Sequence, residues 1–230
     1  MLRTCYSYIG NCVFIAHTFL LLISSNILAN YNGFNETYST KQNLSSLNLN
    51  IDKSNDMRAI SKEFLITMVV EIPAGTNKKI EFNKGSNSYE IDRLNGLDRI
   101  IDFLPYPANY GFITSTLMSK KHGGDGDALD VLLISESIAI GEKIEIVPIG
   151  LLVLRDNGEI DTKIIAIPLK KELRVIRAST YEELVSEYPA IKYIIEKWFL
   201  SYKGNKIVEF IRWGNEIEAI KEIDRWRINL

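Results

Sequence analysis

The run Gly123-Gly124-Asp125-Gly126-Asp127-Ala128-Leu129-Asp130 places three carboxylates at i, i+2 and i+5. The apolar Val131-Leu132-Leu133-Ile134 follows directly and reads as a buried strand, so the acids sit on the turn that opens it. Three like charges at the mouth of a low-dielectric sheet repel one another and call for a balancing cation. Oxygen donors on a glycine-bearing turn suit a hard divalent ion such as Mg²⁺ or Mn²⁺. Asp and Gly are also ordinary turn residues, so this stretch alone is equally a polar connection between strands. The rest of the chain decides between the two.

Cations and phenols stand at positions that a plain core does not explain. Lys79 and Arg93 fall on neighbouring predicted strands, and Lys163 follows Asp161 by two residues, on the same strand face. Tyr202-Lys203 closes a predicted helix, where the helix dipole favours a lysine in any case. Each cation alone is a solvated surface charge. Together with Glu71, Glu81, Asp156 and Asp161 they describe a mixed acid–base cavity, suited to a small, highly charged anion held by metal and side chains together. No serine or cysteine nucleophile constellation is evident, which favours direct attack by water. His122 has no second histidine beside it, and His17 lies in an apolar leader.

Strands must position these groups. Residues 64–72 form an apolar run stopped by Pro73; Lys79-Ile80-Glu81-Phe82 and residues 88–93 follow, and the three predict an antiparallel meander. In the second strand Lys79 and Glu81 share one face, Ile80 and Phe82 the other. Residues 106–113 are an aromatic turn entering another extended stretch. Residues 143–147, 150–154 and 160–167 are further strands, with Asp156-Asn157-Gly158 as a hairpin turn before the last. The period then changes. Thr180 with Glu183 forms a capping box, and Ile191, Ile194, Ile195, Trp198, Phe199 and Tyr202 make an apolar helix stripe. Asn215 with Glu218 caps a further helix through Ile220, Ile223 and Trp226. The expected fold is mainly β with flanking α, a small five-stranded closed barrel with two C-terminal helices. The tryptophans read as core fillers.

The 230 residues, 46% hydrophobic and 24% charged, are enough for one substantial globular domain. A formal net charge of -2 gives no electrostatic case for nucleic-acid binding. Cys5 and Cys12 lie at the N-terminus, so the folded part holds neither a disulfide framework nor a cysteine zinc site. Residues 1–29 are a signal-like apolar leader, with an upstream false start and a membrane helix as the alternatives. Residues 30–58 read as a flexible Asn/Ser-rich linker, and residues 59–230 as the catalytic domain. A spurious leader implies a cytoplasmic protein, a genuine one an exported or membrane-proximal protein, with membrane contact only if it is retained.

With these residues in view, the chain resembles the soluble inorganic pyrophosphatases that have a five-stranded barrel core. Their Asp-x-Asp-Pro-hydrophobic-Asp signature is matched by Asp125 to Asp130, with Ala128 in place of proline. The departure costs turn rigidity but removes no ligand, since proline has no metal-binding group. The Lys120-Lys121-His122-Gly123-Gly124 approach also departs from the pattern. Glu71-Ile72-Pro73, Lys79-Ile80-Glu81, Asp92-Arg93, Tyr106-Pro107 and Asn109-Tyr110-Gly111 match in order, as do residues 154–163 and Tyr202-Lys203.

The resemblance, which covers roughly residues 64–226, implies Mg²⁺-dependent hydrolysis of inorganic diphosphate to two phosphates, with Mn²⁺ as a substitute ion. It implies Asp125, Asp130, Asp161, Asp156 and Glu71 as metal ligands. Asp127 becomes the base or orienting carboxylate for the attacking water, supported by Tyr110 and Glu81. Lys79, Arg93, Tyr106, Lys163, Tyr202 and Lys203 become the diphosphate-binding set. A homo-oligomer is implied as well. An oligonucleotide-binding barrel and a catalytically silent metal-binding scaffold are the alternatives, and a diphosphate hydrolysis assay with and without Mg²⁺ separates them.

Overall fold

The structure is a computed structural model that describes residues 65–204 and 208–228. The expected leader and linker, and the compartment read from them, lie outside the described residues. No helix among the described residues is long and apolar enough to cross a membrane.

In chain order, β1 (Ile66–Ile72) ends at Pro73, which has no N–H to continue a ladder. A hairpin of β2 (Ile80–Asn83) and β3 (Ser88–Ile91) follows. A second, very short hairpin comes next, β4 (Arg93–Leu94) with β5 (Leu97–Asp98). Its turn is Asn95-Gly96, both at positive φ (55° and 81°), the conformation that an Asn-Gly hairpin favours. Then come β6 (Asn109–Ile113), β7 (Asp130–Leu133), β8 (Lys143–Asp156) and β9 (Glu159–Pro168). The last elements are helices α1 (Tyr181–Glu187) and α2 (Pro189–Ser201), strand β10 (Val208–Asn215) and helix α3 (Glu216–Trp226).

The main sheet runs β1-β6-β7-β9-β8-β10, with β1 pairing β8 as well. All its ladders are antiparallel except β7 with β9. The expected plain five-stranded closed barrel with two helices therefore needs correction. The fold is mixed α/β, its main sheet has a sixth strand, and three helices rather than two lie in the C-terminal part. Residues 143–147 and 150–154 are not separate strands but one strand of 14 residues, irregular between Pro148 and Gly150. Its length lets β8 pair with β1 near its start and with β10 near its end. The extra helix arises at Tyr188, which leaves helical geometry (φ −130°, ψ 47°) ahead of Pro189 at the first turn of α2. The expected meander is also revised: β2 and β3 pair with each other, while β1 pairs with β6 and β8.

Two local signals hold. Asn157 and Gly158 both take positive φ (50° and 89°) between β8 and β9. Asn215 and Glu218 form a reciprocal capping box on α3. At α1, Thr180 Oγ1 accepts from the Glu183 N–H (3.1 Å), but the Glu183 carboxylate turns to the Ser179 N–H (2.6 Å), so that box is incomplete.

The central strands are apolar on both faces. Alternate residues Leu132, Leu152, Leu154, Ile165 and Ile167 pack with Trp198 and Phe199 of α2 and Leu184 of α1. Val131, Leu133, Ile164 and Ala166 pack on the other side, with Ala219, Ile223 and Trp226 of α3. Strand parity then decides which face the polar residues share. Asp130 aligns with Leu132, Asp156 with Leu154, and Asp161 and Lys163 with Ile165, all on the α1–α2 side. Gly111, next to Tyr110, lets β6 approach β1 closely: a Cβ there would fall 1.9 Å from the Val69 carbonyl oxygen. Gly111→Ala is expected to cost at least about 3 kcal/mol of folding stability, the upper range for overpacking, because the obstacle is backbone. A urea midpoint equal to that of the wild type would show that the β1–β6 approach is slack.

Candidate active site

The parallel pairing of β7 with β9 sets Asp130 opposite Lys163. Lys163 Nζ pairs with Asp130 and with Asp161 Oδ1 (2.6 Å), and donates to the Tyr110 hydroxyl (3.0 Å). The lysine side chain is only 7% exposed. Burial disfavours its charged form, but Asp130, Tyr110 and Asp161 outweigh that and hold its pKa well above the ordinary lysine value. Burial pushes the Tyr110 hydroxyl well above the ordinary phenol range, so it stays a neutral hydrogen-bond donor.

A second pair closes the other side. Lys203, just beyond α2, pairs with Asp156 of β8, both largely withdrawn from solvent. The remaining Asp156 oxygen, Oδ1, is buried with no hydrogen-bond partner among the described residues. An orphan carboxylate oxygen of this kind is costly unless something electropositive reaches it. Tyr202 and Tyr106 have hydroxyls raised by burial. Tyr202 also feels Lys163, Asp156, Asp161 and Arg99, and Tyr106 feels Tyr202, Lys163, Arg99 and Asp130. Helix α2, the aromatic turn and strands β7 to β9 thus converge on one polar centre.

Glu71, Lys79 and Glu81 form its flank. Lys79 Nζ lies 2.7 Å from Glu81, and Glu71 accepts the Phe82 N–H (3.0 Å). Burial raises the Glu71 carboxyl to about 7, the Phe82 N–H opposes that, and Asp130 adds to it. Asp125 and Asp127 are exposed on the turn before β7. That turn is braced by the Asp127 N–H on Asp125 Oδ1 (2.8 Å) and by two backbone bonds with Met118.

Asp125 and Asp127 thus bond within their own turn, and Arg93 too is held apart from this centre. It stands on β4, its side chain 70% exposed and paired with Asp98 (3.2 Å), beside a cavity of about 670 Å³ that Glu81 also lines. Arg99 takes the inward place. Its guanidinium binds Asp92 (2.8 Å) and feels Tyr202 and Glu81, and its carbonyl accepts the Lys79 N–H (3.0 Å). Sequence reasoning missed it although a signal was present. Asp92-Arg93 and Asp98-Arg99 flank the Asn95-Gly96 turn, so the first arginine leaves on the hairpin while the second returns to its base.

The donors are all hard oxygens, and the orphan Asp156 Oδ1 is in keeping with a cation there. As the side chains stand, among the described residues no three Asp, Glu, His or Cys groups converge closely enough to hold an ion. Lysines occupy the carboxylates instead. What the site offers is affinity for phosphoryl oxygens on one side and for hard cations on the other, the equipment of a phosphoryl-transfer or phosphohydrolase protein.

Comparison with known proteins gives the class its family. Residues 68–229 match the inorganic pyrophosphatase family. The chain is 36% identical over 167 residues to the inorganic pyrophosphatase of Aquifex pyrophilus, covering 70% of this chain and 86% of that one. It is 37% identical over 170 residues to that of Neisseria meningitidis serogroup B, covering 70% and 89%. The crystal structure of an inorganic pyrophosphatase from Neisseria gonorrhoeae superposes with a TM-score of 0.59 at 34% identity, over 70% of this chain and 88% of that one. The chain belongs to the inorganic pyrophosphatase family, of the soluble Mg²⁺-dependent type, and is a hydrolase of that family.

The Glu71 carboxyl supplies a test of the site's electrostatics. Its folded pKa of about 7 lies above the ordinary 4.5, so the folded state holds this proton more tightly than the unfolded chain. That stabilisation is present in full below the ordinary value and is lost as pH rises through about 7. In EDTA, the wild-type Tm is expected to fall across that window relative to Glu71→Gln, which carries no charge to bury. Parallel Tm profiles of the two proteins would place Glu71 in a solvated setting.

Proposed function

We propose that this chain hydrolyses inorganic diphosphate to two phosphates by direct attack of water, with Mg²⁺ as cofactor and Mn²⁺ as a substitute. The carrying observation is the buried Lys163, held by Asp130, Asp161 and Tyr110 on the face where Asp156–Lys203 also lies. Asp125, Asp130, Asp161, Asp156 and Glu71 are the candidate Mg²⁺ donors. Bound there, Mg²⁺ would lower the pKa of a water and neutralise phosphoryl charge.

The chain's own groups do the rest. Asp127, exposed on its turn, takes the proton of the attacking water. Lys163 and Lys203 neutralise carboxylates in this structure, and with Mg²⁺ held by those carboxylates both lysines would be available to phosphoryl oxygens. Each charged partner is exchanged for another, so no bare charge is left buried. Lys79 and Arg99 hold the substrate from the other flank, with Arg93 further out. Tyr106, Tyr110 and Tyr202, kept neutral by burial, donate hydrogen bonds rather than repel the anion. Glu81 holds Lys79 in place. Tyr106, Tyr110, Trp198 and Phe199 pack on one another rather than offering free ring faces to bases, which favours the hydrolase reading over an oligonucleotide-binding barrel. A homo-oligomer of this chain is part of the proposal.

Phosphate release from diphosphate, with and without Mg²⁺, is the direct experiment. Asp127→Asn keeps size and hydrogen bonding but cannot accept the proton as a carboxylate. A loss of kcat of about 10²–10⁴-fold is expected, the usual scale for a missing general base. Asp125→Asn is expected instead to raise the Mg²⁺ concentration needed for activity. If added Mg²⁺ restores Asp127→Asn to near-normal kcat at neutral pH, Asp127 is a ligand and the base assignment fails.

A further inference from the structure

We propose that Trp198 is a positioning residue for the phosphate-binding phenols, setting Tyr202 and Tyr106 relative to each other across the site. The inference rests on the reading above that Tyr202 touches the substrate.

Trp198 is 3% exposed and lies four residues before Tyr202, on the same side of α2. Its indole stacks on the Tyr202 ring at 4.6 Å with only 9° between the planes. It also meets the Tyr106 ring at 4.4 Å and 45°, and the Phe199 ring edge-on at 5.1 Å. Its indole Nε1–H donates to the Leu104 carbonyl (2.8 Å), two residues before Tyr106. Trp213 and Trp226 use their indole N–H differently, on the Glu196 and Glu222 carboxylates.

The arrangement reaches further than packing requires. The Tyr106 N–H donates to the Thr76 carbonyl (2.9 Å) and its own carbonyl accepts the Gly75 N–H (3.0 Å). Trp198 therefore links α2, which carries Tyr202 towards Lys203, to the segment leading from Glu71 to Lys79. A ring packed against both phenol rings restricts their lateral movement, while the indole N–H ties α2 to the Leu104–Tyr106 backbone. Loss of the ring should spread the phenol positions, and the cost should appear in substrate binding more than in the chemical step.

The test is a double-mutant cycle in diphosphate hydrolysis with Mg²⁺, using Trp198→Leu, Tyr202→Phe and the pair, with Tm measured for each. Trp198→Leu is expected to raise KM about ten-fold with kcat changed less than three-fold. Combined with Tyr202→Phe, it is expected to lower kcat/KM no more than about two-fold beyond Tyr202→Phe alone. Trp198→Phe, which keeps the stack and loses the N–H, should recover most of the KM. If Trp198→Leu does not fold, the cycle is run with Trp198→Phe, and the same sub-multiplicative result is expected at smaller amplitude. Losses that multiply independently, or a drop confined to Tm, would reduce Trp198 to a core filler. A Tyr202→Phe enzyme with unchanged kcat/KM would overturn the substrate role of Tyr202 itself, a failure distinct from that of the coupling.

Discussion

An ammonium group buried beside two carboxylates and a phenol is the constraint around which this molecule is built. Desolvating Lys163 alone would cost several kcal/mol, and Asp130, Asp161 and Tyr110 make its burial tolerable. They come from β7, β9 and β6, so the charge is compensated only when those strands pair in the observed register. The fold and the site depend on the same alignment. Slipping β7 by one residue would turn Asp130 towards the α3 side and leave the lysine short of a partner.

Strands buried on both faces make such a register possible. Residues of β7 and β9 alternate between the two cores, so neither strand has a solvent face on which to hide a charge. The charged groups of β7 and β9, Asp130, Glu159, Asp161 and Lys163, all fall by strand parity on the side covered by α1 and α2. Helix α2 then adds Trp198, Phe199 and Tyr202 to the aromatic turn, closing a wall of rings around the hydroxyls. That wall lowers the local dielectric. It keeps the phenols protonated, while burial on the other flank raises Glu71.

Charge neutrality has a further consequence for how the site accepts ligands. Lys163 and Lys203 neutralise Asp130, Asp161 and Asp156, while Asp156 Oδ1 has no hydrogen-bond partner among the described residues. Substrate and metal arriving together would let the lysines and the carboxylates change partners in one step. Either arriving alone would leave one sign of charge in excess.

The spacing of the chain determined which charged groups share a strand face: Asp130 opens a buried strand, and Lys163 follows Asp161 by two residues. Local signals also settled local structure, as at Asn157-Gly158 and at the Asn215–Glu218 cap, because those preferences are decided within a few residues. The path of β8 was beyond such reasoning. Pro148 and Gly150 look like a break, and only pairing with β1, β9 and β10 carries the strand through them. The separate β2–β3 hairpin and the sixth strand are likewise decisions of long-range pairing. Pro189 stood in plain view, and its effect on the helix count follows from its own ring. The choice between Arg93 and Arg99 is the plainest division. Both follow an aspartate, and nothing in composition ranks them. Tertiary structure turns one to solvent on a hairpin arm and ties the other to Lys79 at its base, because a strand return reverses which residues face the sheet.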